Sequence, residues 1–165
     1  MSQVALELEL LEPPDRLDLV VYGKPQPAGS KRVLPAGGRP GGRPLVVDSN
    51  KNAKEWKRAV AQAAGEKRGD RPLLEGALRL TVLFYMPRPK GHYGTGRNAG
   101  VLKNGAPPYP TVKPDTTKLL RAVEDALTAV VWRDDTQVVS QWAGKLYGEP
   151  ARCEITVEPL TRGAP

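Results

Sequence analysis

From Glu75 to Pro87 the chain reads EGALRLTVLFYMP, and Leu78, Leu80, Val82 and Phe84 alternate with Ala77, Arg79 and Thr81. A period of two is that of a strand with one face buried. LDLVVYG (Leu17 to Gly23) is rich in β-formers and stops at glycine, and PLVVD (Pro44 to Asp48) is a short strand candidate. Near the end, TQVVSQWAGKLYG and ARCEITVEPL flank Gly148, Glu149 and Pro150, a pattern that predicts a closing hairpin. The period changes twice. In SNKNAKEWKRAVAQAAGEKRG, Trp56, Ala59, Val60 and Ala63 recur at helical spacing behind a capping Ser49 or Asn50 and ahead of Gly69. This predicts a helix from about Asn52 to Lys67 whose stripe is core packing. In TTKLLRAVEDAL, Leu119, Val123, Ala126 and Leu127 make one apolar face, and Asp115, following Lys113-Pro114, stands where an N-cap belongs. The elements predict an α/β (α+β) fold: one domain over residues 1–165, with a small mixed β-sheet packed against two main helices.

Charge adds a partner to this picture. Lys and Arg number 25 against 18 Asp and Glu, a formal +7 with a pI near 9.7, so a polyanion, nucleic acid first, is the expected partner. The bases cluster in two acid-free stretches. Between Gly23 and Val47 lie Lys24, Lys31, Arg32, Arg39 and Arg43 in a Pro/Gly-rich segment read as a mobile phosphate-facing loop. Between Pro87 and Pro114 lie Arg88, Lys90, Arg97, Lys103 and Lys113, with Tyr93 and Tyr109. A loop of residues 87–114 is long for a compact domain, hence functional or, more blandly, a solvated linker.

Other classes fall away. No apolar run is long enough to span a membrane, and the N-terminal extension, residues 1–16, is acidic where a signal peptide is basic. A soluble, intracellular protein is expected. Cys153 is alone and reads as a packed strand residue; with His92 the single histidine, neither a disulfide framework nor a Cys/His zinc set is available. His92 also lacks a nucleophile-elbow motif, and GSKR and GGRPGG lack the order of a P-loop.

The acids then stand out. Asp115 opens a helix, Thr117, Arg121, Asp125 and Thr128 fall about one turn apart on its polar face, and Asp134-Asp135 follow Trp132. Capping alone would account for Asp115, pairing with Arg121 for Asp125, and a solvated turn for the Asp pair. Adjacent carboxylates nevertheless invite a cation, and Mg²⁺ needs only one or two carboxylates beside water and a substrate phosphate. Asp115 with Asp135, backed by Asp134, meets that need if the helix start and strand start converge. Acids set between basic loops suit phosphodiester hydrolysis.

KPDTTKLLRAVEDALTAVVWRDDTQVV, Lys113 to Val139, closely resembles the signature of the RusA family of Holliday junction resolvases, near KPDxDNLxKxxxDAL, a short spacer and DDxQV. The likeness extends more loosely through GKPQPAGSKR, NAKEWKRAV and the strand ending in FYMP. It implies a Mg²⁺-dependent homodimer, with Mn²⁺ able to substitute, that nicks opposed strands of four-way junction DNA in the cytoplasm of a bacterial or phage-infected cell. It assigns metal binding to Asp115, Asp134 and Asp135, and catalysis to Asp115, Asp135 and Arg121, the last standing where the family has lysine. Thr117 replaces an expected aspartate and Lys118 an asparagine, which leaves Thr117 an assisting role. Lys31, Arg32, Arg88, Lys90, Arg97, Lys103, Lys113 and Lys118 are the expected DNA contacts. The departures leave a second reading, a catalytically weakened junction-binding protein, and a third, a basic RNA-binding module.

Overall fold

The computed structural model describes residues 15–29, 31–34, 45–48 and 51–160. Four strands, β1 (Leu17–Tyr22), β4 (Leu78–Met86), β5 (Val138–Tyr147) and β6 (Arg152–Pro159), form one sheet in the order β1-β6-β4-β5. β6 is antiparallel to β1 and β4, whereas β4 and β5 run parallel. Parallel neighbours need a crossover, and here residues 87–137 supply it, including helix α2 (Thr116–Leu127). Helix α1 (Lys51–Arg68) precedes β4. β2 (Lys31–Leu34) and β3 (Leu45–Asp48) pair with each other as a separate antiparallel ribbon.

The alternation in β4 is realised fully. Leu78, Leu80, Val82 and Phe84 are all buried, as are Leu17, Leu19 and Val21 of β1 and Cys153, Ile155 and Val157 of β6. All share one cluster with Trp56, Val60 and Ala64 of α1 and Leu119, Val123 and Leu127 of α2, so both helices cover the same sheet face. Truncating one such residue, Leu119→Ala for example, costs about 2–5 kcal/mol through lost burial and the cavity left behind. Helix α1 ends as its sequence predicts: Gly69, at φ +59°, donates its amide to the Gly65 carbonyl, a left-handed close that glycine adopts without strain. Ser49 and Asn50, the expected caps, lie outside the described residues.

Two expectations are corrected. β5 and β6 are consecutive but do not form a hairpin; β4 lies between them, bonded to both. The Gly148–Ala151 link passes across the end of β4, with the Gly148 amide on the Met86 carbonyl and the Ala151 carbonyl on the Gly23 amide. The basic segment after β1 is not one continuous loop either, because Lys31–Leu34 is a strand paired with Leu45–Asp48.

Candidate active site

Helix α2 organises the acids. Asp115 occupies its N-cap position with extended backbone, φ −70° and ψ 140°, yet its side chain makes no capping hydrogen bond. Its carbonyl accepts from the Leu119 amide at 3.1 Å, while its exposed carboxylate sits 3.6 Å from the Lys118 ammonium. Capping therefore does not account for this aspartate. The carboxylate opens instead into a cavity of about 300 Å³ lined by Lys24, Pro25, Pro27, Lys113, Pro114 and Lys118. Lys145 of β5 holds the approach, donating from Nζ to the Val112 and Pro114 carbonyls at 2.8 and 2.9 Å. That fixes the backbone directly before Asp115.

The Asp134-Asp135 pair is divided between two tasks. Asp134 Oδ1 accepts from the Thr136 amide at 2.9 Å and caps a short 3₁₀ turn, Asp135–Gln137. Gln137 completes a capping box by accepting from the Arg133 and Asp134 amides at 2.9 and 3.2 Å, and donates to the Leu74 and Gly76 carbonyls at 3.0 and 3.2 Å. The hydrogen bond from Thr136 holds the Asp134 carboxyl below its ordinary 3.8. Asp135, exposed in the same turn, adds a smaller lowering of the Asp134 carboxyl through its own side chain.

A further carboxylate stands near Asp135. Glu124, half-buried on α2, accepts a hydrogen bond from the Gln141 side chain of β5. Burial raises its carboxyl above the ordinary value; the Gln141 bond opposes that rise, the charges of Asp135 and Asp125 add to it, and Arg121 offsets them. Thr117, Arg121 and Glu124 follow at helical spacing along one face. Sequence reasoning passed over Glu124, and the only signal that could have found it is its position seven residues after Thr117.

Gln141 reaches Glu124 and Lys145 reaches Pro114, so β5 runs antiparallel to α2. Asp135, ahead of β5, lies close enough to Glu124 for its charge to raise that carboxyl. Nine residues separate Asp115 from Glu124, about 13 Å along the helix axis. Among the described residues no three acidic, histidine or cysteine side chains gather to hold an ion. Asp125 belongs to neither end: it pairs with Lys57 of α1 at 2.6 Å, rather than with Arg121, and so ties the helices together.

The bases also sort themselves. Lys113 and Lys118 line the Asp115 cavity, joined by Lys24. Lys90 and Arg97 are exposed on the basic loop, which is no solvated linker: Gly94 and Lys103 donate backbone bonds to Val101 and His92 across it. Arg88 is engaged internally, its guanidinium 4.1 Å above the Tyr147 ring and bonded to the Pro107 carbonyl at 2.8 Å. Lys103 likewise donates to the Gly91 carbonyl at 2.8 Å. The side chains of Lys31 and Arg32 lie outside the described residues. Lys24, Lys113 and Lys118, all exposed, thus gather positive charge around Asp115, while Lys90 and Arg97 present more of it on the loop.

Residues 23–158 match the family model of the endodeoxyribonuclease RusA. The chain belongs to the RusA family. It is also 29% identical over 147 residues to the uncharacterised protein YqaN of Bacillus subtilis (strain 168), a match covering 89% of this chain and 99% of that one. RusA proteins are hydrolases acting on DNA and generally depend on a divalent metal. The RusA signature accounts for Lys113 to Val139, and its glutamine is the Gln137 that staples the Asp135 turn to the start of β4. A hard divalent ion fits what is present, because Asp115 and Asp135 are exposed carboxylates, and magnesium takes one or two of these and fills its remaining positions with water and phosphate oxygens. No helix among the described residues is long and apolar enough to cross a membrane.

Proposed function

We propose that this RusA-family chain is a Mg²⁺-dependent, structure-specific endodeoxyribonuclease that resolves Holliday junctions by paired nicks in DNA recombination and repair, acting as a homodimer in the cytoplasm. The observation that carries this reading is Asp115: a carboxylate at a helix N-cap that caps nothing and opens into a lysine-lined cavity. Asp115 and Asp135 would hold Mg²⁺, with Mn²⁺ able to replace it, and Asp134 would assist through the oxygen its cap leaves free. When bound, the ion supplies polarisation of the scissile phosphate and activation of water. Lys24, Lys113 and Lys118 grip the backbone on either side, offsetting the repulsion between phosphate and carboxylate. Arg121 stabilises charge developing on the phosphate without giving up a proton, since its guanidinium stays protonated. Thr117 contributes a neutral hydroxyl or the water it orients.

The symmetry of the substrate supports the homodimer. A four-way junction has two equivalent strands to cut, and a two-fold pair of chains matches that symmetry.

One observation favours a second reading. Lys118 lies 3.6 Å from Asp115, and Thr117 brings no charge, so the metal end carries less negative potential than an Asp-x-Asp pair. On this reading the chain binds junctions and cuts weakly. One assay separates these possibilities: incubation with a synthetic four-way junction, with and without Mg²⁺, followed by nick mapping. Symmetric Mg²⁺-dependent nicks establish the resolvase, and tight junction binding without nicks selects the second reading. Displacement of the junction by duplex RNA at matched salt would move the protein to the RNA-binding class.

A further inference from the structure

The acid-free loop carries an aromatic side chain that the nuclease reading leaves unused. Tyr109 is 60% exposed, in the run Pro107-Pro108-Tyr109-Pro110. An exposed tyrosine on a loose loop would say little, but this one is held on both sides. Before it, the Pro107 carbonyl accepts from Arg88, whose guanidinium lies 4.1 Å from the centre of the Tyr147 ring. After it, the Thr111 amide donates back to the Tyr109 carbonyl at 3.0 Å, closing a tight turn around Pro110, which is buried. The prolines fix their own φ angles and restrict the residues before them, so little backbone freedom is left to lose on binding. Position matters as much as stiffness. Pro110 and Val112 wall a cavity of about 160 Å³ that shares Lys24, Lys113 and Pro114 with the Asp115 cavity. Tyr109, next to Pro110 in the chain, thus stands beside the same basic hollow into which Asp115 opens.

We infer that Tyr109 is a stacking platform for an unpaired base beside the scissile phosphate, and that it, rather than the basic cavity, gives the site its preference for branched DNA. The inference rests on the DNA-cutting reading above and adds the group that selects the form of the DNA. Charge identifies the occupant. From Pro87 to Pro114 there is no Asp or Glu, while Lys90, Arg97 and Lys113 are exposed on the same stretch, an arrangement that draws in a polyanion and repels none of it. Lysines that hold phosphates cannot tell one form of DNA from another, because every form presents the same phosphates. A flat ring can. Inside a duplex both faces of a base are covered by its neighbours, whereas at a branch point or in a single strand a face lies open, and a tyrosine laid on it covers the apolar surface of both. Val112, 63% exposed, extends that apolar surface along the same turn. Stacking needs no hydrogen bond to a base edge and accepts any of the four bases, so Tyr109 selects structure rather than sequence.

The experiment measures, by fluorescence anisotropy at one ionic strength and without Mg²⁺, the affinity of the full chain and of Tyr109→Ala, Tyr109→Leu and Tyr109→Phe for a four-way junction, for one of its single strands and for a plain duplex. Each variant is checked for its fold by circular dichroism. Tyr109→Ala is expected to lose at least about fivefold in affinity for the junction and the single strand, and less than about twofold for the duplex. Tyr109→Phe should bind all three like the wild type, and Tyr109→Leu, apolar but not planar, should fall with the alanine variant. A second readout needs no variant: 5-iodouracil placed at successive positions around the crossover should cross-link to Tyr109 on irradiation at one of them. Equal losses on all three DNAs, no loss, a leucine variant that binds like the wild type, or a junction complex that yields no adduct at Tyr109 each overturns the inference. A wild type that binds none of the three DNAs overturns it together with the nuclease reading. Junctions bound and nicked by Tyr109→Ala as by the wild type would remove the platform and leave the resolvase standing. Single-strand binding that depends on Tyr109, in a protein that cuts no junction with Mg²⁺, would leave the platform standing and remove the nuclease reading instead.

Discussion

Asp115 and Asp134 occupy equivalent positions, each the N-cap of a helical segment with an extended backbone, and their carboxylates have opposite fates. Asp134 caps a three-residue 3₁₀ turn that has almost no internal bonding of its own, so the cap and the Gln137 box are what hold the turn closed. Asp115 heads a twelve-residue helix whose buried face anchors it. There the cap bond is dispensable, and the carboxylate is released to the cavity. The contrast shows that a cap position does not by itself decide an aspartate's role. What decides is whether the segment it heads is stable without it.

Several changes sharpen or break that contrast. Asp115→Asn and Asp135→Asn should each lower junction cutting at least about a hundredfold, with junction affinity equal or higher because negative charge facing phosphates is removed. Parallel loss of binding and fold, read by gel shift and circular dichroism, would show the residue to be structural. Neutralising Lys24, Lys113 and Lys118 together should weaken binding and reduce the salt slope by nearly three, whereas Arg88→Ala and Lys103→Ala, already engaged within the loop, should leave the slope in place. An unchanged slope in the triple variant would mark the Asp115 cavity as a bystander.

Thr117→Asp should lower the Mg²⁺ concentration for half-maximal cleavage several-fold, since a carboxylate in the first turn is favoured by the helix dipole; a titration showing no shift would mean that Lys118 and Arg121 absorb the added charge. The smallest effect concerns stability. Asp134→Ala should lower the melting temperature by about 2–4 °C through its lost cap, and Asp115→Ala by less than about 1 °C. The Asp134 difference depends on pH in a fixed direction. Its carboxyl titrates below 3.8 in the folded chain, so its contribution is complete above that value and disappears as pH falls through the lower, folded-state value. Melting curves of wild type and variant should converge in strong acid.

Periodic stretches were legible because burial imposes a period: Leu78 to Phe84 and Leu119 to Leu127 could satisfy one face only as a strand and a helix. The strand order was not legible. A Gly-Glu-Pro break between two strands suits a hairpin as well as a link that crosses a third strand end, and only the requirement that β6 bury alternate residues on a central strand distinguishes them. At the site, Asp115 and Asp135 were visible through the order of residues around them. Glu124, Gln141 and Lys145 were not, because each matters only through β5 lying antiparallel to α2, a tertiary relation with no local signature. The division of labour between Asp134 and Asp135 was hidden for the same reason, since Gln137 takes its meaning from the Leu74 and Gly76 carbonyls.

The stretch from Pro87 to Pro114 contains six prolines, at 87, 89, 107, 108, 110 and 114. Each withholds a backbone donor, so the segment carries more carbonyls than amides to meet them. Arg88, Lys103 and Lys145 make up the shortage, donating to the carbonyls of Pro107, Gly91, Val112 and Pro114. A carboxylate placed among them would compete for these same cations and leave the carbonyls unmet. The absence of any Asp or Glu across the stretch is therefore a condition for the loop to fold, as well as a courtesy to DNA.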